Sequence, residues 1–310
     1  MLVWQNIGEQ LINIAQSSKK NAVIIAPFIK QVILRRILDA LSFEVQTTCI
    51  TRWRVEELMC GVSDLEVYSE LKKRENSNLF LVNDLHAKYY RFDDTVIIGS
   101  FNLTNAALGY NPISNIELSY IVQEGEATSA FEKFVFENSV PVSSHMYDSM
   151  KNILKSMPES SDVDNKNINQ SFIVQGFNEI KSWNTWLPTC RSPEFLYNVY
   201  MGDESKLSQS ALLDAKRDLH QLSPSVGLTR TQFIGFISGT ISMSPIVDKL
   251  AKFAIVPRRF GEMKRKVGEL VSNSSPANDW QTLMRWLLYF SPERFTVRVE
   301  NFSEIFTAKW

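Results

Sequence analysis

His86 and Lys88 stand two residues apart in "NDLHAKYYRFDDTVIIGSFN", and Ser100 and Asn102 repeat that spacing a dozen residues later. On extended chain, side chains at i and i+2 leave the same face. Each pair therefore presents its functional groups together, and the tight turn expected at Asp93-Asp94 brings the two pairs to one end of a hairpin. An imidazole, an ammonium, a hydroxyl and a carboxamide around one pocket suit a phosphate. Lys88 neutralises charge, Ser100 and Asn102 donate hydrogen bonds, and His86 acts as nucleophile or proton carrier. Gly99, before Ser100, is expected to leave room for a ligand near the backbone.

The elements that must hold these groups can be read around them. Ile7, Leu11, Ile14 and Ala15 fall on one helical face. "AVIIAPF" then reads as a short buried strand, "KQVILRRILDAL" as a helix and "VQTTCIT" as a second strand. "VEELMCGVSDLEVYSELKKR" is one or two helices interrupted near Gly61. "LFLV", "HAKYYRF" and "TVIIG" read as strands, "LTNAAL" as a helix start, "NIELSYIVQ" as a strand and "ATSAFEKFVFEN" as an amphipathic helix. The expected fold class is α/β, a mixed sheet flanked by helices.

"HAKYYRFDDTVIIGSFN" resembles the signature of the phospholipase D superfamily, His-x-Lys-x4-Asp followed by Gly-Ser-x-Asn, carried by His86, Lys88, Asp93, Gly99, Ser100 and Asn102. "NLTNAAL…NIELSYIV", the upstream "APF" and "TRWRVEELMCGVSDLEVYSEL" are similar to single-motif bacterial, nuclease-like members. The resemblance spans roughly residues 1 to 140 and implies a phospholipase D-like mixed sheet. It also implies metal-independent phosphodiester cleavage through a phosphohistidine, with no cofactor, and a Glu at position 117 that orients the histidine. Asp93 is assigned to the turn. One motif per chain implies a homodimer in which each copy contributes His86 and Lys88, because His145 and His220 have no lysine two residues on. Two plainer readings stand beside these: Ser100 and Asn102 as caps of a helix near Leu103, and Glu117 as an edge-strand carboxylate.

Residues 1–155 are thus expected to form the catalytic domain. Polar text over 156–170 reads as a linker, and 171–310 as a mainly helical domain that recognises substrate or partner. In that domain "SALLDAKRDLHQL", "FGEMKRKVGELV" and "DWQTLMRWLLYF" look helical and "RFTVRVENF" looks like one strand. Between Lys249 and Lys266 seven basic residues face one Glu, with Phe253 and Phe260 interleaved. Lys249, Arg258, Arg259, Lys264, Arg265 and Lys266 are candidate nucleic-acid contacts, and a solvated helix face is the plainer alternative. Arg52 and Arg54, after the second strand, are candidates to reach substrate phosphate.

The 310 residues are 44% hydrophobic with net charge −1, so any polyanion must be met by a local patch rather than a global field. Three cysteines without CxxC spacing point away from a disulfide framework or a structural zinc site. With no signal-like N-terminus and no apolar run of membrane-spanning length, a cytoplasmic protein is expected. The expected function is a nuclease acting on nucleic acid, DNA first, in a restriction or anti-phage defence setting that comes by resemblance alone, with other subunits of a defence complex as further candidate partners. A non-catalytic DNA-binding or complex-forming subunit is the alternative, and a phospholipase the third.

Overall fold

The computed structural model describes residues 1–156, 182–272, 274–300 and 303–309. The chain divides into two compact units, Met1–Leu154 and Lys155–Trp310. The linker expected over 156–170 lies, apart from Ser156, outside the described residues.

The first unit runs β1 (Leu2–Val3), α1 (Ile7–Ser17), β2 (Asn21–Ile25), α2 (Gln31–Ala40), β3 (Gln46–Thr51), α3 (Val55–Met59), α4 (Val67–Leu71), β4 (Ser77–Leu81), β5 (Tyr89–Phe92), β6 (Thr95–Gly99), β7 (Ser119–Gln123), α5 (Glu126–Glu137), β8 (Val140–Pro141) and α6 (Ser144–Ser156). Its eight strands form one mixed sheet in the order β1-β7-β6-β5-β2-β3-β4-β8. The strands β2, β3 and β4 are parallel, as buried β-branched runs joined by helices demand, while β5, β6 and β7 are antiparallel to their neighbours. Ile25, Ile50, Val82, Leu85, Tyr89, Val96 and Val135 form one apolar cluster between the sheet and α5, each aliphatic side chain contributing about 2 kcal/mol by burial.

Strand direction decides where the chemistry sits. Ile25 pairs with Tyr89, Tyr89 with Ile98, and Gly99 with Ser119. The approach to β5, the exit of β6 and the approach to β7 therefore all lie at the end of the sheet where β2 and β3 finish.

Three local expectations fail. The strand holding His86 and Lys88 begins only at Tyr89, so both precede it, although Lys88 O still accepts from Gly99 N at 3.2 Å. "LTNAAL" is a run of turns rather than a helix. Its start is tied down as sheet, through a bridge between Leu103 and Ile29 and the bond from Lys30 N to Leu103 O, and Ser100 and Asn102 cap nothing. The two-residue strands β1 and β8 carry no periodic signal and exist only through their pairing.

The second unit runs α7 (Leu196–Tyr200), α8 (Gln209–Leu222), α9 (Arg230–Ser242), α10 (Pro245–Phe253), β9 (Arg258–Arg259), α11 (Phe260–Leu270), α12 (Pro276–Phe290), β10 (Phe295–Glu300) and β11 (Ser303–Ala308). The expected single strand is instead one arm of a hairpin, and β11 also pairs with β9 in a three-stranded antiparallel sheet. Trp280, Leu283, Trp286, Leu287 and Phe290 are buried as the helical spacing predicts.

Candidate active site

His86 is exposed and Lys88 half-buried. Lys88 Nζ lies 3.4 Å from His86 Nε2 and donates to His86 O at 2.8 Å. Burial, helped by the Arg52 guanidinium and opposed by Glu117, lowers the Lys88 pKa. That influence also locates Arg52 and Glu117 within electrostatic reach of the Lys88 ammonium.

Ser100 follows β6 at a bend. Its Oγ donates to Glu117 Oε2 and accepts from Leu118 N at 3.1 Å, while Ser100 N donates to Leu118 O at 2.9 Å. Asn115 Nδ2 holds the other Glu117 oxygen at 3.0 Å. Glu117 thus belongs to the Ser100 side of the cluster, and among the described residues neither of its oxygens bonds His86. Asn102 is half-buried, with Oδ1 enclosed and without a hydrogen-bond partner, an acceptor left unspent where buried polar groups are normally paired.

Gly99 does not provide the ligand space expected of it. A Cβ there would meet Leu118 O at 2.7 Å and Phe101 Cδ1 and Ser119 Cβ at 3.0 Å. Its glycine lets β6 and β7 close against each other and so sets Ser100 beside Glu117.

Asp93 holds the turn. It has φ 49°, in the left-handed region that Asp tolerates. Its carboxylate accepts from Lys19 N at 2.7 Å, Lys20 N at 2.8 Å, Asn21 N at 3.0 Å and Ser18 Oγ at 3.1 Å. Partial burial works to raise its pKa, but these donors outweigh it and the pKa is lowered. The turn fixes the β5–β6 register and with it the His86–Ser100 juxtaposition.

Arg52 and Arg54 point inward to the chain. Arg52 donates to Leu85 O at 2.7 Å, pairs with Glu57 and lies over the Phe28 ring. Arg54 donates to Asn83 O at 3.0 and 3.2 Å. Both clamp the 83–85 segment that delivers His86. Sequence reasoning gave them to substrate because their carbonyl partners, about 30 residues on, have no local signal.

In the second unit the basic stretch is partly neutralised. Arg258 stacks over Phe253 at 4.2 Å, donates to Phe253 O at 3.0 Å and bonds Glu262 at 3.2 Å. Lys266 pairs with Glu269 at 2.9 Å. Lys249, Arg259, Lys264 and Arg265 remain exposed. The order α10, β9, α11, α12, β10, β11 with β9 against β11 is the layout of a winged helix-turn-helix. Its third helix, α12, exposes only Asn278 and Arg285, however, and Arg285 bonds Arg191 O at 3.1 Å. A groove-reading helix needs several free side chains on one face, and α12 has spent its faces on packing.

Among the described residues no helix is long and apolar enough to cross a membrane, and no cluster of His, Cys, Asp or Glu is placed to hold a metal ion.

The sequence profile of the family described as "Cardiolipin synthase, PLD-like domain" matches residues 11–138. Among solved structures, the chain is similar to NucT from Helicobacter pylori, at 18% identity and TM-score 0.38 over 46% of this chain and 98% of that one. It is similar to Nuc from Salmonella typhimurium, a phospholipase D family member, at 19% identity and TM-score 0.35 over 46% and 97%. It is also similar to the phosphatidylserine synthase of Haemophilus influenzae, at 16% identity and TM-score 0.40 over 50% and 43%. A search of curated proteins found no match. The matched stretch, residues 11–138, contains the sheet end where His86, Lys88, Ser100 and Glu117 meet, so the N-terminal unit is similar to a phospholipase D-like domain over that stretch.

Proposed function

We propose that the N-terminal unit is a metal-independent phosphodiesterase that cleaves nucleic acid as a homodimer. The observation that carries this reading is the accessible His86–Lys88 pair, 3.4 Å apart, beside the Ser100–Glu117 contact. A fold-only role gives no reason to hold a half-buried ammonium against an imidazole with no carboxylate bonded to it.

In the reaction His86 attacks phosphorus while the P–O bond to the leaving alkoxide breaks and the partner's His86 gives that oxygen its proton. The same imidazole of the partner then takes a proton from water, whose oxygen attacks phosphorus and releases the first histidine. Lys88 from each copy offsets charge on the non-bridging oxygens, with the Asn102 amide as hydrogen-bond donor. Glu117 positions Ser100.

An apolar face supports the pairing. Leu2, Tyr120 and Ile98 form one cross-strand row on β1, β7 and β6, and Leu118 lies two residues before Tyr120, just ahead of β7. They are 60%, 52%, 45% and 51% exposed, and Leu118 is bonded to Ser100. On this reading a second copy seats on that row, with the two His86–Lys88 pairs facing one phosphate. The second unit, with Lys249, Arg259, Lys264 and Arg265 outward, is assigned to holding substrate or a partner. Arg258, Lys266, Arg52 and Arg54 serve the scaffold.

The test is cleavage of labelled single- and double-stranded DNA and RNA in EDTA, with a phosphatidylcholine vesicle as the lipid arm, by the wild type and His86→Ala. Nucleic-acid cleavage lost in His86→Ala is expected. Lipid turnover alone, or nucleic-acid binding by both proteins with cleavage by neither, would overturn the reading. Tyr120→Asp on the exposed row is expected to give monomers without activity, and fully active monomers would refute the shared site.

A further inference from the structure

A cavity of about 160 Å³ opens beside Glu117, lined by Trp4, Asn6, Glu9, Tyr110 and Asn115 among others. It is smaller than the roughly 300 Å³ at which clefts for drug-sized ligands begin, yet holds the space of several waters at about 30 Å³ each. A single flat heterocycle is the ligand of that size class.

The lining has the chemistry for one. Trp4 is 63% exposed and lines the cavity, so its indole face is open to stack on a planar ligand. Tyr110 is held rigid from behind: Arg36 lies over its ring at 4.5 Å, and the ring packs so close to Gly8 that a Cβ there would come within 2.8 Å of Tyr110 Cζ. The polar groups are mostly acceptors. Asn115 spends its Nδ2 on Glu117, which leaves Oδ1 free, and Glu9 carries a carboxylate with no hydrogen bond or ion pair among the described residues.

We propose that this cavity is a base-binding subsite. An unpaired nucleobase with an exocyclic amine, next to the scissile phosphate, stacks on Trp4 and Tyr110 and donates to Glu9 and Asn115. The proposal rests on the nuclease reading and deepens it: a base must leave its stack to enter, so the preferred substrate is single-stranded, and thymine or uracil, which lack the amine, fit worst. Glu117 joins the two sites, because one carboxylate edge holds Ser100 and the other holds Asn115.

The experiment compares a single-stranded oligonucleotide rich in guanine and adenine with the same strand carrying abasic spacers and with oligo-dT. Both kcat/KM for the wild type and affinity by fluorescence anisotropy in the non-cleaving His86→Ala background are measured. The expected preference for the base-containing strand over the abasic one is about ten-fold, the scale of one stacked base. It should shrink toward one in Trp4→Ala, survive in Trp4→Phe, and lose its discrimination against oligo-dT in Glu9→Gln. An equal response to all three strands, or a preference unchanged in Trp4→Ala, overturns the subsite. If no strand is cleaved, the nuclease reading fails, while the anisotropy ratio still decides whether the cavity takes a base.

Discussion

Two groups of cations in this chain look alike as text and differ as chemistry. In the stretch from Lys249 to Lys266, three of the seven charges meet a local carboxylate: Lys252 meets Asp248 at 2.7 Å, Arg258 meets Glu262 at 3.2 Å and Lys266 meets Glu269 at 2.9 Å. At the sheet end Lys88 meets an imidazole and a carbonyl oxygen instead, and the nearby Glu117 is occupied by Ser100 and Asn115. Density of charge marks a solvated helix surface. A cation denied its counter-charge marks a place built for an anion that arrives from outside.

The largest effect that would break this contrast is catalytic. His86→Ala, and separately Lys88→Ala, should lower phosphodiester cleavage by on the order of 10⁴-fold with an unchanged melting temperature, because neither side chain holds the fold. A loss of activity that merely tracked a loss of stability would return both residues to the scaffold.

The next effect concerns a carboxylate that belongs to the signature but not to the chemistry. Asp93→Ala removes the acceptor of three backbone N–H groups and should cost about 3 kcal/mol in chemical denaturation. The Asp93 pKa is lowered on folding, so its contribution is complete above the unfolded value of about 3.9 and is lost as pH falls through the folded one. Acid titration of the wild type should therefore show a stability loss below about pH 4 that Asp93→Asn attenuates.

Asp218, in the second unit, gives the opposite sign. It too collects backbone donors, Cys190 N at 2.7 Å and Thr189 N at 2.9 Å, but it is fully enclosed, and burial pushes it up to about 7. A carboxyl whose folded pKa is raised binds more protons folded than unfolded, so its stabilisation is greatest below about pH 4 and fades as pH rises toward 7. Melting of the second unit should shift to lower temperature between pH 5 and pH 7, and Asp218→Asn should flatten that slope. A wild-type profile flat across this window would remove the burial argument.

The smallest effect sharpens the first contrast. Lys264→Ala with Arg265→Ala should reduce the salt dependence of nucleic-acid binding by a slope of about 2 and leave stability alone. Arg258→Ala should do the reverse, lowering stability by about 1 kcal/mol through its lost stacking and ion pair and leaving the slope as it was. If Arg258→Ala moved the slope as much as the pair did, the division between structural and free cations would be wrong.

Residue types and spacing alone were enough to single out His86, Lys88, Ser100, Asn102 and the turn at Asp93, because a two-residue spacing on extended chain has only one geometric meaning. Apolar periodicity likewise placed α1, α2, α5, α8 and α12, where the pattern is a property of one segment. What the sequence could not express were bonds whose partners are far along the chain: the Arg52 and Arg54 clamps on Leu85 and Asn83, the Glu117 link to Ser100, the role of Gly99 in closing β6 on β7, and the two-residue strands β1, β8 and β9. The run after Asn102 reads as helix by propensity, yet pairing with Ile29 makes it sheet edge and turn. Local pattern fixes what a segment can offer, whereas alternating strand direction across β2, β5, β6 and β7 decides which offers meet at one end of the sheet, and that register is a property of the folded chain only.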